Sequence, residues 1–183
     1  MTITAIPTTY KGIEFRSRLE AKWAFVFDQL GWSWEYEPID LKGYIPDFIL
    51  TLPRAPMLVE IKPALARKEL EAAIPKIENS GWTGDSLILG ATIAFETQFC
   101  CSPFGLVSQP ADYPEGIKTT WWDYAIFHEC SECKRQSFHH HLGGWFCYAC
   151  GEGDGDHYLI PSDELDHAWN RATNTAKYRH GKR

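Results

Sequence analysis

The sequence predicts a mixed α/β core that carries a small cysteine-bearing module and a closing helix. Three observations lead to it. Apolar residues recur at helical spacing between Ser17 and Leu30, three short strand-like runs follow, and four cysteines fall as two C-x-x-C pairs further on. With 183 residues, 44% hydrophobic and 23% charged, the chain is long and apolar enough for one ordinary domain with an appendage.

The first helix rests on Leu19, Trp23, Val26, Phe27 and Leu30, which share one face at a period of 3.6. Ser17 to Glu20 has the form of a capping box, and Gly31 supplies the stop. Strands are expected at Ser33–Glu37, Tyr44–Leu50 and Met57–Lys62, the latter two joined through Thr51–Pro56. Pro63 has no N–H to donate and ends the third. Ala64–Ser80 is charged and partly helical, and Pro75 must kink it or start a second piece. Lys76 and Glu78 read as a solvated helix face, and Glu35 and Glu37 as outward strand carboxylates. Ser86–Leu89 is a short apolar run suited to a buried strand. Residues 91–125 give little signal beyond a strand around Thr120–Phe127, and the adjacent Cys100 and Cys101 read as small buried hydrophobes. The core is therefore expected over 1–125.

No apolar run approaches the ~20 residues needed to span a bilayer, and Met1–Pro7 lacks the regions of a secretory signal. The expectation is a soluble, cytoplasmic protein with no membrane partner. The net charge of −6 argues against a generic polyanion binder. Its distribution is uneven: residues 1–80 hold 10 basic and 11 acidic side chains, residues 81–172 hold 4 and 13, and residues 173–183 hold 4 and none. The acidic middle suits docking to a protein partner. A nucleic-acid surface would be local, drawn from the tail and from Lys11, Arg16, Arg18 and Lys22, although a basic tail reads first as a solvated terminus.

Cys130, Cys133, Cys147 and Cys150 form two C-x-x-C pairs with thirteen residues between them. Each pair can make a tight knuckle that offers two thiolates to one tetrahedral ion, the pattern of a structural Zn²⁺ ribbon. Gly151 follows the second pair, where a knuckle needs positive φ. Gln136–His141 and Trp145–Phe146 flank Leu142–Gly144, the pattern of a hairpin within a ribbon at 126–155. A redox dithiol is the rival reading. His139 and His141 alternate onto one strand face; with no third ligand in the pattern, His139, His140 and His141 read as exposed strand residues. Asp154-Gly155-Asp156 reads as a polar turn. The segment 156–183 is expected to hold a helix capped by Ser162, striped with Leu165, Ala168, Trp169 and Ala172, and a basic tail.

The chemistry concentrates on Asp47, Glu60 and Lys62. If the Thr51–Pro56 turn pairs Leu50 with Met57, the antiparallel register sets Asp47 across from Glu60, with Cβ atoms about 5 Å apart. Period 2 keeps Lys62 on the Glu60 face and turns Val59 and Ile61 into the core. Two carboxylates held together call for a cation, and Mg²⁺ or Mn²⁺ among carboxylate oxygens can polarise a phosphoryl group.

Phe15-Arg-Ser-Arg-Leu-Glu20, Trp34-Glu-Tyr-Glu37, Tyr44-Ile-Pro-Asp-Phe48 and Val59-Glu-Ile-Lys-Pro63 resemble the PD-(D/E)XK nuclease superfamily, and within it the junction-resolving endonuclease I type of certain phages. The likeness covers about residues 10–90. It implies a restriction-endonuclease-like αβββαβ core, Asp47 and Glu60 as metal ligands, Lys62 as catalytic lysine and Glu20 as a helix-borne carboxylate at the same metal. It also implies a nucleic-acid substrate, DNA before RNA, and a homodimer as such resolvases usually form. Arg16 and Arg18 read either as phosphate clamps or as solvated surface residues. Two other readings stay open: a binding subunit with a vestigial nuclease fold, and a nuclease active only within a larger complex.

Overall fold

A β-hairpin of β1 (Thr8–Tyr10) and β2 (Ile13–Phe15) leads into the first helix, α1 (Arg18–Leu30). The computed structural model describes residues 5–53, 55–95, 103–112, 118–142, 147–151, 159–160 and 163–177. Nothing in the apolar pattern announces this hairpin; Lys11 and Gly12, both at positive φ, supply its two-residue turn. Ser17 caps α1, its hydroxyl accepting from the Glu20 N–H at 3.2 Å. At the other end Gly31 turns left-handed, the Gly31 N–H reaches Asp28 O and the Trp32 N–H reaches Phe27 O. That pair of bonds is a Schellman stop.

The expected order of helix, three strands, helix and strand is present. After α1 come β3 (Ser33–Tyr36), β4 (Phe48–Thr51) and β5 (Pro56–Ile61), paired antiparallel in turn. Strand β4 begins later than expected. Leu41 and Tyr44 close a tight turn on each other, and Pro46 has no donor, so Asp47 sits just before the strand. Two short helices, α2 (Arg67–Glu71) and α3 (Ile74–Glu78), carry the chain to β6 (Ser86–Leu89), which lies parallel to β5. Pro75 starts α3 rather than kinking one longer helix.

Two long antiparallel strands follow, β7 (Pro103–Asp112) and β8 (Lys118–Cys130). Strand β8 extends well beyond the expected Thr120–Phe127 and runs across residues 125 and 126. Strand β9 (Gln136–His140) pairs with β8 directly, while β10 (Leu159–Ile160) adds to its other edge past β7. The cysteine hairpin is thus a continuation of the main sheet. Helix α4 (Glu164–Lys177) closes the described chain. The sheet is mostly antiparallel, in the order β10-β8-β7-β6-β5-β4-β3 with β9 beside β8.

Its two faces bury two apolar clusters. Trp23, Phe27, Val59, Ile61, Phe104 and Phe138 lie with α1 and α4 on one; Leu58, Ile88 and Leu106 lie with α2 and α3 on the other. Leu165, Ala168 and Ala172 of α4 are buried, and Trp169 packs on Trp23 with ring centroids 4.9 Å apart. The expected stripe of α4 therefore docks on α1. Cys100, Cys101, Trp145, Phe146, Asp154, Asp156, Ser162 and the tail residues Arg179, Lys182 and Arg183 lie outside the described residues.

Candidate active site

Leu50 pairs with Met57 and Phe48 with Val59, the register expected from the sequence. One step beyond, Asp47 comes opposite Glu60, and its Oδ2 accepts the Ile61 N–H at 2.6 Å. Alternation along β5 sends Val59 and Ile61 to the α1 face, and Leu58 and Glu60 to the α2–α3 face. Glu20 arrives from the opposite layer, on the first turn of α1. All three acids are buried: Glu60 is 2% exposed, Asp47 5% and Glu20 8%.

Every carboxylate oxygen of the three has a partner. Glu20 Oε1 takes the Ser17 hydroxyl at 2.7 Å and Oε2 takes the Tyr36 hydroxyl at 2.6 Å. Glu60 Oε2 takes the Tyr44 hydroxyl at 2.7 Å, and Oε1 takes Lys62 Nζ at 2.5 Å. Asp47 Oδ1 meets Arg16 Nη2 at 2.5 Å. Burial, then the neighbouring Glu60 charge, pushes the Asp47 carboxyl up to about 7, against the opposing pull of the Ile61 N–H and Arg16. The hydroxyls of Tyr36 and Tyr44 are both held well above the usual phenol range, chiefly by burial and also by their carboxylate partners.

Two residues, Glu37 and Lys76, make contacts that were not expected, while Glu78 is exposed as expected. Glu37 is half-buried rather than outward: its carboxylate holds Arg16 Nε at 2.7 Å, and its own N–H bonds Asp47 O at 3.0 Å. Its φ of 46° turns it out of strand geometry. Lys76 is not simply solvated; its Nζ lies 3.7 Å from Glu60 Oε1 and 4.5 Å above the Tyr44 ring. Glu78 accepts the Trp122 indole N–H at 3.1 Å. Arg16 is spent on carboxylates in this structure, and Arg18 opens α1 half-buried. Glu35 is exposed as expected. The residues missed by sequence reasoning are Tyr36, Tyr44, Glu37 and Lys76. Tyr36, Glu37 and Tyr44 left a trace, as members of the W-E-Y-E and Y-I-P-D segments; Lys76 left none.

The donor set is oxygen-only, buried and acidic, which suits a hard divalent cation. The three carboxylates do not converge on one point here. Among the described residues, the only group of three or more His, Cys, Asp or Glu whose donor atoms all lie within 4.8 Å of one another is Cys130, Cys133, Cys147 and Cys150.

That quartet could hold a structural metal such as zinc. Cys130 Sγ lies 3.9 Å from Cys150 Sγ, and Cys133 Sγ lies 3.9 Å from Cys147 Sγ. Four sulfurs at the usual Zn–S distance have tetrahedral edges of ~3.8 Å, whereas a disulfide needs ~2.05 Å. The two knuckles match. Lys134 N–H bonds Cys130 O at 2.9 Å and Gly151 N–H bonds Cys147 O at 2.8 Å, with both Lys134 and Gly151 at positive φ. Burial raises the Cys130 thiol, but the Cys133 and Glu132 N–H groups outweigh it and bring Cys130 down to about 7. A depressed thiol is primed to ligate as thiolate. Cys147 is raised by burial.

His139 and His140 are buried, not exposed, and His141 is half-buried. The His139 and His128 Nδ1 atoms face each other at 3.3 Å. No family model matches this chain, and no curated protein or solved structure matches it.

Proposed function

We propose that this chain is a metal-dependent nuclease of the PD-(D/E)XK type, with a restriction-endonuclease-like core, hydrolysing phosphodiester bonds in nucleic acid, DNA in the first instance. The observation that supports the reading best is the buried Asp47–Glu60 pair with Lys62 Nζ drawn onto Glu60. A core has no stability reason to gather such acids, because burying like charges costs free energy.

Asp47 and Glu60, with Glu20 alongside, would hold Mg²⁺ or Mn²⁺, which supplies charge to polarise the phosphoryl group and acidify a bound water. Lys62, about one third exposed, can reach solvent, hold the attacking water and take up or return its proton. Tyr44 fixes the Glu60 carboxylate, and Tyr36 with Ser17 fixes Glu20, so each acid is oriented before substrate arrives. Arg16, whose guanidinium lies at the acids, and Arg18, on the first turn of the same helix as Glu20, would be the phosphate contacts in this reading. The cysteine quartet would hold one Zn²⁺ as a structural ribbon, since four sulfurs leave no open coordination position.

The test is cleavage of duplex, branched and single-stranded DNA and of RNA, with Mg²⁺, Mn²⁺ or EDTA. Asp47→Asn and Glu60→Gln should each abolish cleavage and weaken metal binding, while Lys62→Ala should keep metal binding and lose turnover. The net −9 of residues 81–172 favours a second reading, a subunit that docks to a protein partner. Wild-type protein that binds neither metal in calorimetry and cleaves none of the substrates would leave that reading standing.

A further inference from the structure

The Arg16 guanidinium bridges two layers of the site. Its Nη2 meets Asp47 Oδ1 at 2.5 Å, its Nε meets Glu37 Oε1 at 2.7 Å, and Nε stands 4.0 Å from Glu20 Oε2. Arg16 touches three carboxylates, yet its side chain is 57% exposed while Asp47 is almost wholly buried. The position is also built rather than casual. The Arg16 backbone N–H is fixed to the Tyr36 hydroxyl at 3.1 Å, and Tyr36 in turn donates to Glu20. Glu37 is held in a left-handed conformation by a backbone bond to the same Asp47 that Arg16 neutralises. A non-glycine residue in that region costs about 1 kcal/mol or more and persists where the surroundings require it.

We infer that Arg16 is the resident counter-ion of this site: it occupies the cation's place on Asp47, Glu37 anchors it there, and a divalent ion must displace it to bind. The inference rests on the nuclease reading and assigns Arg16 and Glu37 positioning roles within it. A metal on Asp47 would leave Arg16 its Nε contact with Glu37 and free its Nη groups. The guanidinium, held beside the acids by Glu37, could then meet a phosphate oxygen in the bidentate manner suited to it. Glu60 has its own cations in Lys62 and Lys76, so Arg16 competes with the ion at Asp47 and the two lysines compete at Glu60.

Calorimetric titration of Mn²⁺ into the full chain tests this without substrate. Arg16→Met should lower the Mn²⁺ dissociation constant by about two- to fivefold, the range a partly exposed ion pair can supply. Arg16→Lys, which keeps the charge but loses the fork, should fall between wild type and Arg16→Met. It also serves if the methionine variant does not fold, which circular dichroism and zinc content would reveal. The Mn²⁺-induced rise in melting temperature should grow in the same order. Unchanged or weaker Mn²⁺ binding in both variants, with wild type binding normally, overturns the inference and leaves the nuclease reading intact. Absence of Mn²⁺ binding in wild type and variants alike overturns this inference, and only together with absent Mg²⁺ binding and absent cleavage does it remove the nuclease reading as well.

Discussion

Glu20 has two employments that a single substitution separates. Its backbone N–H is capped by Ser17 while its carboxylate, tied to Ser17 and Tyr36, looks toward Asp47. Glu20→Gln keeps an oxygen for either hydroxyl but removes the charge. Cleavage should fall by orders of magnitude while the melting temperature barely moves. Ser17→Ala should cost ~1 kcal/mol of stability, the usual worth of an N-cap, read by denaturant melts. At this scale the sequence showed what alternation and spacing control: Asp47 opposite Glu60, Lys62 beside it, four cysteines around one point. It did not show Tyr36, Tyr44 or Lys76 at the acids, because each comes from a different segment and meets them only through tertiary packing. His139 is a further case. Burial first, then His128, His141 and His140, holds its imidazole down to about 3, below the ordinary 6.5 of an unfolded chain. The unfolded state therefore binds more protons between those values, so the His139 contribution is complete above pH 6.5 and is lost as pH falls toward 3. Acid titration of stability should be less steep over that window in His139→Phe than in wild type.

Among the elements, α1, β3, β5 and α4 were legible from their periodicity, and β6 from its continuous apolar run. Strand β7 was not. Gly105, Ser108, Gln109 and Pro110 interrupt its alternation, and its register shifts between Pro103 and Gly105, so its pairing is decided by β6 and β8 rather than by its own pattern. The hairpin of β1 and β2 was missed for a related reason: only its Lys11-Gly12 turn is distinctive. Helix α4 yields a prediction of its own. Trp169 packs at a tilt against Trp23, and Lys22 Nζ lies 3.2 Å from the Trp169 ring centroid, an attraction between cation and ring face. Trp169→Ala should destabilise the fold by about 2–4 kcal/mol through the cavity and the lost contact, measured by chemical denaturation. A change below ~0.5 kcal/mol would mean that α4 contributes little to burying α1.

For the molecule as a whole, the cysteine quartet should behave as part of the core rather than as a detachable module. Strand β8 ends in Cys130, β9 returns along it, the Trp32 indole N–H bonds Gln136 O at 3.0 Å, and Phe138 stacks on Tyr148 with centroids 4.5 Å apart. Elemental analysis should find close to one zinc per chain. Cys147→Ser, or zinc stripping with a chelator, should lower the melting temperature of the whole protein in a single transition. Two separate transitions, or a zinc-free chain of unchanged stability, would refute that coupling. The C-x-x-C spacing anticipated a four-cysteine cluster that could hold a metal, but it carries no information about which strand supports the knuckles, and β8 runs through the expected boundary at 125–126.

The pairing of α4 with α1 has a consequence for the order of events during synthesis. Trp23 and Ala24 are fully buried, and α4 supplies part of their cover, yet Leu30 and Glu164 bracket the entire sheet. A growing chain makes Glu20, Asp47, Glu60 and Lys62 early, together with the neighbouring strands that align them. It cannot close the layer behind them until α4 has emerged. The nascent protein must therefore carry an uncovered aromatic face through most of its translation, a surface open to chaperones. The fully covered fold would become available only after α4 has been added.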